Sequence, residues 1–254
     1  MKKSLIILNI ISLISTFSLF AQVEVEDLFK TGNEFYNEGR NSEAISYYKQ
    51  ILSNDFHSAE LYYNMANAYY KLDSIASSIY YYEKALMLQP ADKEIIDNLS
   101  LVNKTLVDDI DPITEPIIQS ILNKFSNLFY FDTWAYISVF FSFLIVALFL
   151  SYYFAKETRI KRTAFVSLCF GILLMLISLG NSYRGFDKQI NDKYAIIYSY
   201  QTDLKTEPNN RSETLFMLHE GTKVKVLENY NNWIKIQLSN GQIGFLQLID
   251  VKIL

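Results

Sequence analysis

Two uncharged stretches, Trp134 to Phe154 and Ala164 to Tyr183, constrain this chain more than any other feature. Each holds about twenty residues, enough to cross a hydrocarbon core of about 30 Å as a helix. Aromatic residues mark their ends, Trp134 and Tyr136 on one side, Tyr152 and Tyr153 on the other, and Tyr183 closes the second stretch. Such rings settle at headgroup depth. Only residues 155–163 separate the two stretches, so the pair must form a hairpin. That loop carries Lys156, Arg159, Lys161 and Arg162 against one acid, Glu157, whereas the flank before Trp134 carries Asp108, Asp109, Asp111, Glu115 and Asp132. An excess of lysine and arginine marks the cytoplasmic side. The expected topology is a loop at 155–163 inside the cell and both larger parts of the chain outside the cytoplasm.

The N-terminus points the same way. Lys2 and Lys3 precede an apolar run from Leu5 to Phe20 that ends at Ala21-Gln22. This is the layout of an export signal over residues 1–21. Leu19, three residues before the expected cut, leaves an uncleaved anchor open as the alternative. The expected location is the inner (cytoplasmic) membrane, multi-pass, with both folded ends periplasmic. Neither span holds an ionisable residue in its interior, which reads as anchoring rather than transport. Small residues four apart, at Ser138 and Ser142 and at Ser167 and Gly171, suggest close helix packing. The net charge of -4 opposes a nucleic-acid partner, which needs a basic face. The single cysteine, Cys169, can close no intrachain disulfide and build no thiolate metal site.

Before the spans the chain repeats. A shift of 34 residues sets Leu28 on Tyr62, Gly32 on Ala66, Phe35 on Tyr69, Ala44 on Ser78 and Tyr48 on Tyr82. It also sets Asn33 on Asn67, Tyr36 on Tyr70 and Phe56 on Pro90. Small residues let paired helices approach and aromatics fill the grooves around them, the mark of a helix-turn-helix array. The segments Ala44-Ile-Ser-Tyr-Tyr-Lys and Ile79-Tyr-Tyr-Tyr-Glu-Lys-Ala-Leu-Met-Leu-Gln-Pro90 resemble the tetratricopeptide repeat family. The likeness is strongest in the second copy; the first departs at Leu28 and Phe56. With a capping helix from about Asp92 to Leu106, the repeat region is expected over residues 25–107. The resemblance implies a concave groove lined by Phe29, Asn33, Tyr36, Tyr63, Asn67 and Tyr70; the plainer alternative is ordinary partly packed helix positions. Residues 108–133 read as an acidic, proline-broken linker, then an amphipathic helix with Ile117, Ile118, Ile121, Leu122 and Phe125 on one side. Such a helix lies on the membrane surface or docks on the repeat.

After the spans the period changes to alternation. Tyr194–Tyr198, Thr222–Leu227, Trp233–Leu238 and Ile243–Leu248 read as strands, with Asn240-Gly241 as a tight turn. Residues 190–254 therefore form a small all-β barrel. His219-Glu-Gly-Thr, Asn232-Trp-Ile-Lys-Ile and Asn240-Gly-Gln-Ile-Gly-Phe-Leu are similar to the bacterial SH3 domain. Trp233 and Phe245 are the candidate rim of a binding face, Phe245 standing where tryptophan is frequent; Trp233 as a core residue is the alternative.

The fold class expected is multi-domain: an all-α tetratricopeptide helical repeat, a two-helix transmembrane hairpin over 134–154 and 164–183, and an SH3-like barrel. In this order the parts resemble the BatE proteins of the Bacteroides aerotolerance operon. The resemblance implies a membrane complex with other Bat proteins, including von Willebrand-A-type partners, serving aerotolerance or envelope stress. His57 and His219 have no ligand-spaced neighbour, and no phosphate-binding loop or nucleophile elbow occurs, so no catalytic, cofactor or metal site is expected. Three readings stand: a non-enzymatic scaffold for protein partners, a peptidoglycan-binding envelope protein, and a divergent envelope hydrolase.

Overall fold

A computed structural model describes residues 25–111, 113 and 116–254. The export signal expected at 1–21 and Glu115 of the acidic flank lie outside the described residues. Five helices come first: α1 (residues 25–37), α2 (Asn41–Ser53), α3 (Ala59–Lys71), α4 (Ile75–Leu88) and α5 (Lys93–Asn103). Ser58 and Asp92 cap α3 and α5, each accepting backbone N–H bonds from the first turn. Where α1 meets α2, a Cβ on Gly32 would lie 2.6 Å from the Tyr48 ring, so only glycine lets the buried tyrosine approach. In the second copy Ala66 is fully buried, and its carbonyl accepts a bond from the buried Ser78 hydroxyl at 2.9 Å.

The helix starts keep the 34-residue period: α2 and α4 begin at 41 and 75, α3 and α5 at 59 and 93. Hence α5 is more than a cap. It stands in the place of the first helix of a third unit, and among the described residues no second helix follows it at the repeat's spacing.

Next come α6 (Ile117–Ser126), α7 (Phe131–Phe154) and α8 (Thr158–Asn191). Both α7 and α8 are long and apolar enough to cross a membrane, and most of their apolar side chains face outward. Their contact does not use the expected four-residue spacing, because Ser142 and Ser167 are exposed. Instead Ala164, Gly171 and Ser178 are buried on α8 seven residues apart, and Gly185 continues the series. A Cβ on Gly171 would lie 3.4 Å from Ile145, and one on Gly185 would lie 2.7 Å from Phe131. A seven-residue repeat keeps one seam facing its partner along a gently coiled pair. Of the two alternatives for α6, docking of its apolar side on the repeat is not seen: Ile117, Ile118 and Ile121 are strongly exposed. Its polar residues bond toward the hairpin, Ser126 to Asn181 at 2.6 Å and Asn123 to Lys188 at 3.2 Å.

The C-terminal part is one antiparallel sheet of β1 (Lys193–Ile197), β2 (Gln201–Lys205), β3 (Thr214–His219), β4 (Lys223–Tyr230), β5 (Trp233–Gln237), β6 (Ile243–Gln247) and β7 (Val251–Ile253). Their order is β3-β2-β6-β5-β4-β1-β7. Ile197 of β1 and Leu218 of β3 share a single core with Leu204, Ile234, Ile236 and Leu246, so the sheet curls on itself. The turn at Asn240-Gly241 places only Gly241 at positive φ, +85°, rather than both residues.

This sheet packs on the repeat. Ile196 is wholly buried within the repeat's core, joined by Tyr198 and Leu254. Lys252 Nζ lies 4.0 Å from the Tyr80 ring centre, and burial pushes this lysine below its ordinary value, with Lys49 and Lys84 adding repulsion. Lys223 pairs with Glu83 at 2.6 Å. Gly221, at φ +88°, brings the sheet's backbone onto Ile79, Ile75 and Leu106. The β-domain thus packs against α4, the helix that the missing second helix of the third unit would have joined.

The segment after α5 is no free linker. The Asp108 side chain is 8% exposed and accepts from the His219 N–H (2.7 Å) and the Thr222 hydroxyl (2.6 Å), and its other oxygen meets the His219 ring at 2.7 Å. Farther on, Ile113 N–H donates to Ser239 O at 3.0 Å. Burial pushes the Asp108 carboxyl upward, but the bonds from Thr222 and His219 outweigh it and hold the group below its ordinary value. A depressed carboxylate stabilises the folded state fully above its unfolded pKa of about 3.9 and ceases to do so as pH falls through the folded value. Acidification below about pH 4 should therefore loosen the clamp. Asp108→Asn should cost roughly 2 kcal/mol at neutral pH, read by denaturant unfolding, and flatten the acid dependence.

Candidate functional site

The first helices of the three units, α1, α3 and α5, present one concave face. Tyr36, Tyr63, Asn67 and Tyr70 line a cavity of ≈ 280 Å³ there, together with Lys71 and Leu101. Phe29 and Asn33 are not among its lining residues. Phe29 packs on Tyr48, with ring centres 6.1 Å apart. Asn33 Oδ1 accepts from the Tyr48 hydroxyl at 2.7 Å and from Asn64 Nδ2 at 2.9 Å. One repeat later, Asn67 Oδ1 accepts from the Tyr82 hydroxyl. The asparagines are thus rungs that tie each first helix to its second, and Asn67 is structural as well as lining.

Tyr63 is engaged too: its hydroxyl donates to Glu94 Oε1 and accepts from Asn98 Nδ2, both at 2.6 Å. Burial raises the Tyr48 and Tyr82 phenols well above the ordinary tyrosine value, and burial with the Glu94 bond raises Tyr63. All three stay neutral hydrogen-bonding groups at physiological pH. Tyr36, Tyr70 and Lys71 line the cavity beside the exposed Leu101. Sequence reasoning missed Leu101 and Asn98 because α5 was read as a cap; its 34-residue register with α3 was the available signal.

On the β-domain, Ile234 and Ile236 point inward along β5, so alternation turns Trp233 outward. Trp233 lines a polar cavity of ≈ 470 Å³ with Gln201, Asp203, Lys205, Gln247 and Asp250. Phe245 also faces outward, across the β5–β6 pair from Lys235, but is not among the residues lining that cavity. It meets Tyr230 edge to face, with ring centres 5.6 Å apart. The expected rim pair therefore contributes to two adjoining surfaces. Asp250 holds the cavity floor by accepting from Ser199 and Thr202, each at 2.6 Å. Among the described residues no group of three His, Cys, Asp or Glu side chains has metal-binding geometry.

Two family models match the chain: the tetratricopeptide repeat over residues 59–92 and the bacterial SH3 domain over residues 201–247. The first covers α3, α4 and the turn after them, the copy whose sequence keeps the family pattern. No curated protein matches the chain significantly. Among solved structures, the chain is similar to an NlpC/P60 family protein from Bacillus cereus ATCC 10987, at 18% identity over 28% of this chain and a TM-score of 0.22. It spans only 23% of that protein's length. The MamA protein is similar at 18% identity, with 65% of this chain and 75% of that chain covered and a TM-score of 0.30. The class defined is a protein with a tetratricopeptide repeat, two apolar helices and a bacterial SH3 domain.

The Asn67–Tyr82 rung yields a direct test. Tyr82→Phe removes one buried hydroxyl and should cost about 1 kcal/mol by denaturant unfolding. Asn67→Ala, which leaves the Tyr82 hydroxyl unpaired, should cost more, roughly 2 kcal/mol. Equal and negligible effects would contradict the rung.

Proposed function

We propose that this chain is a non-enzymatic membrane scaffold that holds two binding faces in fixed relation outside the cytoplasm. The observation that carries the reading is the division of surfaces. The repeat spends its second-helix side on the β-domain, through Tyr80, Glu83 and Ile79. Its first-helix face, with Tyr36, Tyr70, Lys71 and Leu101, stays open. The β-domain spends the β1–β7 side on the repeat and leaves the Trp233 cavity open. Backs are joined and fronts are free.

The membrane orientation rests on three supports. The loop at 155–163 is basic, the acidic flank is at the other end, and the repeat and β-domain touch, as chains on the same side of a bilayer can. The exposed apolar side of α6, with its polar residues turned to the hairpin, suits a helix lying in the outer headgroup layer. This architecture, resembling BatE proteins, fits a place in a Bat-type complex for aerotolerance or envelope stress, with von Willebrand-A-type membrane proteins as partners of the repeat. A second reading, peptidoglycan binding, is favoured by the polar Trp233 cavity, where an outward-facing aromatic ring sits among Gln201, Asp203, Lys205 and Gln247, a lining that suits a glycan or peptide stem.

Two variant sets separate the readings. Lys71→Glu with Leu101→Glu changes the open groove at exposed positions. It should abolish co-purification of a co-expressed von Willebrand-A-type partner while the full chain unfolds as before. Trp233→Ala should leave that capture intact and lower sedimentation with purified peptidoglycan several-fold if the wall reading holds. Unchanged capture by the groove variant removes the scaffold reading as stated. For orientation, alkaline phosphatase fused after Leu254 should be active and the same enzyme placed in the 155–163 loop inactive; the reverse pattern inverts the topology.

A further inference from the structure

A further cavity lies apart from both the groove and the Trp233 face of the β-domain. It holds ≈ 360 Å³ and sits where the repeat, the hairpin and the β-domain meet. Leu86 and Met87 of α4 form its roof, Trp134 and Phe129 one wall, and Arg184 and Lys188 of α8 another. Its depth in the membrane follows from sequence position. The uncharged stretch of α8 ends at Tyr183, one residue before Arg184, and Trp134 opens the uncharged stretch of α7. Both belong at the headgroup layer, where tryptophan and arginine settle.

The charges in this cavity are uneven. Six charged side chains line it, and its two acids are already matched: Glu83 by Lys223 and Asp192 by Lys225, each at 2.6 Å. Arg184, Lys188 and Lys193 make no ion pair among the described residues. Lys188 donates only to the neutral Asn123 amide, at 3.2 Å. Three unmatched cations thus face a partly apolar hollow at headgroup depth. An arginine fork with neighbouring lysines is the donor set that a phosphate group takes, and basic pockets beside membrane helices recruit anionic headgroups.

We infer that this cavity binds the headgroup of an anionic phospholipid. The phosphate meets Arg184 and Lys188, Lys193 meets the rim, the glycerol lies against Trp134, and the acyl chains run down the outward faces of α7 and α8. The inference rests on the membrane reading given above. A bound headgroup would bridge α8 to β1 beneath α4, so the lipid becomes part of the joint that holds the two folded ends together.

The test uses the full chain in neutral detergent, with added short-chain phosphatidylglycerol, phosphatidylcholine or soluble glycerol 3-phosphate. Phosphatidylglycerol should raise Tm by roughly 5 °C at saturation, and the other two should not. Arg184→Gln with Lys188→Gln should abolish the rise. Lys193→Gln, an exposed substitution with no burden on folding, should weaken it by several-fold in lipid concentration. Equal stabilisation by phosphatidylcholine, equal stabilisation by glycerol 3-phosphate, or an undiminished response in the double variant would each overturn the site. Flotation with phosphatidylcholine vesicles separates the two levels. A chain that floats yet shows no anionic preference loses only the lipid site; a chain that does not float loses the membrane reading and the site with it.

Discussion

The packing of the β1–β7 side of the sheet against α4 is the contact on which the rest of the molecule depends. A repeat that stops after the first helix of its third unit leaves an apolar flank, and Ile79 and Ile75 lie on it. Ile196, Tyr198 and Leu254 cover that flank in place of a helix. Lys252 over Tyr80 and the Lys223–Glu83 pair add directional contacts at its edge. A solenoid needs its last apolar face closed. Here the closing piece arrives from the far end of the chain.

That arrangement dictates what stands between the two partners. Roughly a hundred residues separate Glu83 from the β-domain, and they include both apolar helices. An even number of such helices suits partners that touch, since a chain that crossed a bilayer once would be separated from its partner by it. The seam of Ala164, Gly171, Ser178 and Gly185 against α7 keeps α7 and α8 close, and α8 runs almost directly into β1. Asp108 performs the matching task on the entering side by fixing the chain after α5 to His219 and Thr222. Repeat, hairpin and sheet are therefore consecutive in sequence yet closed into a ring of contacts. With its flanks used in this way, each folded part keeps a cavity on its opposite face.

The periodic features were legible from the residues. The 34-residue shift located the helices because Gly32, Ala66, Tyr48 and Tyr82 must pack at fixed places whatever the surroundings. Alternation found β1, β4, β5 and β6, whose inward residues are apolar without interruption. It missed β2, β3 and β7, since Gln201–Lys205 buries only Thr202 and Leu204, Thr214–His219 buries only Leu218, and Val251–Ile253 has three residues, none of them buried. Long-range features were opaque for a different reason. Asp108 sits in an acidic, proline-rich stretch and acquires its role only when residues 111 and 114 positions away arrive beside it. The same holds for Asn33 and Asn67, which looked free for a ligand because the tyrosines that occupy them lie 15 residues downstream on another helix. The seven-residue seam of α8 was obscured by the four-residue pairing of Gly171 with Ser167, which is exposed.

The most direct test of the central contact is zero-length carbodiimide cross-linking of the full chain in membranes, followed by peptide mass spectrometry. Glu83 and Lys223 stand 2.6 Å apart, close enough to condense to an amide with loss of water. Asp192 and Lys225, equally close, lie where α8 meets the sheet and serve as the internal control. A docked repeat and β-domain give both amides within one chain. The Asp192–Lys225 amide without any link from Lys223 to the repeat would contradict it.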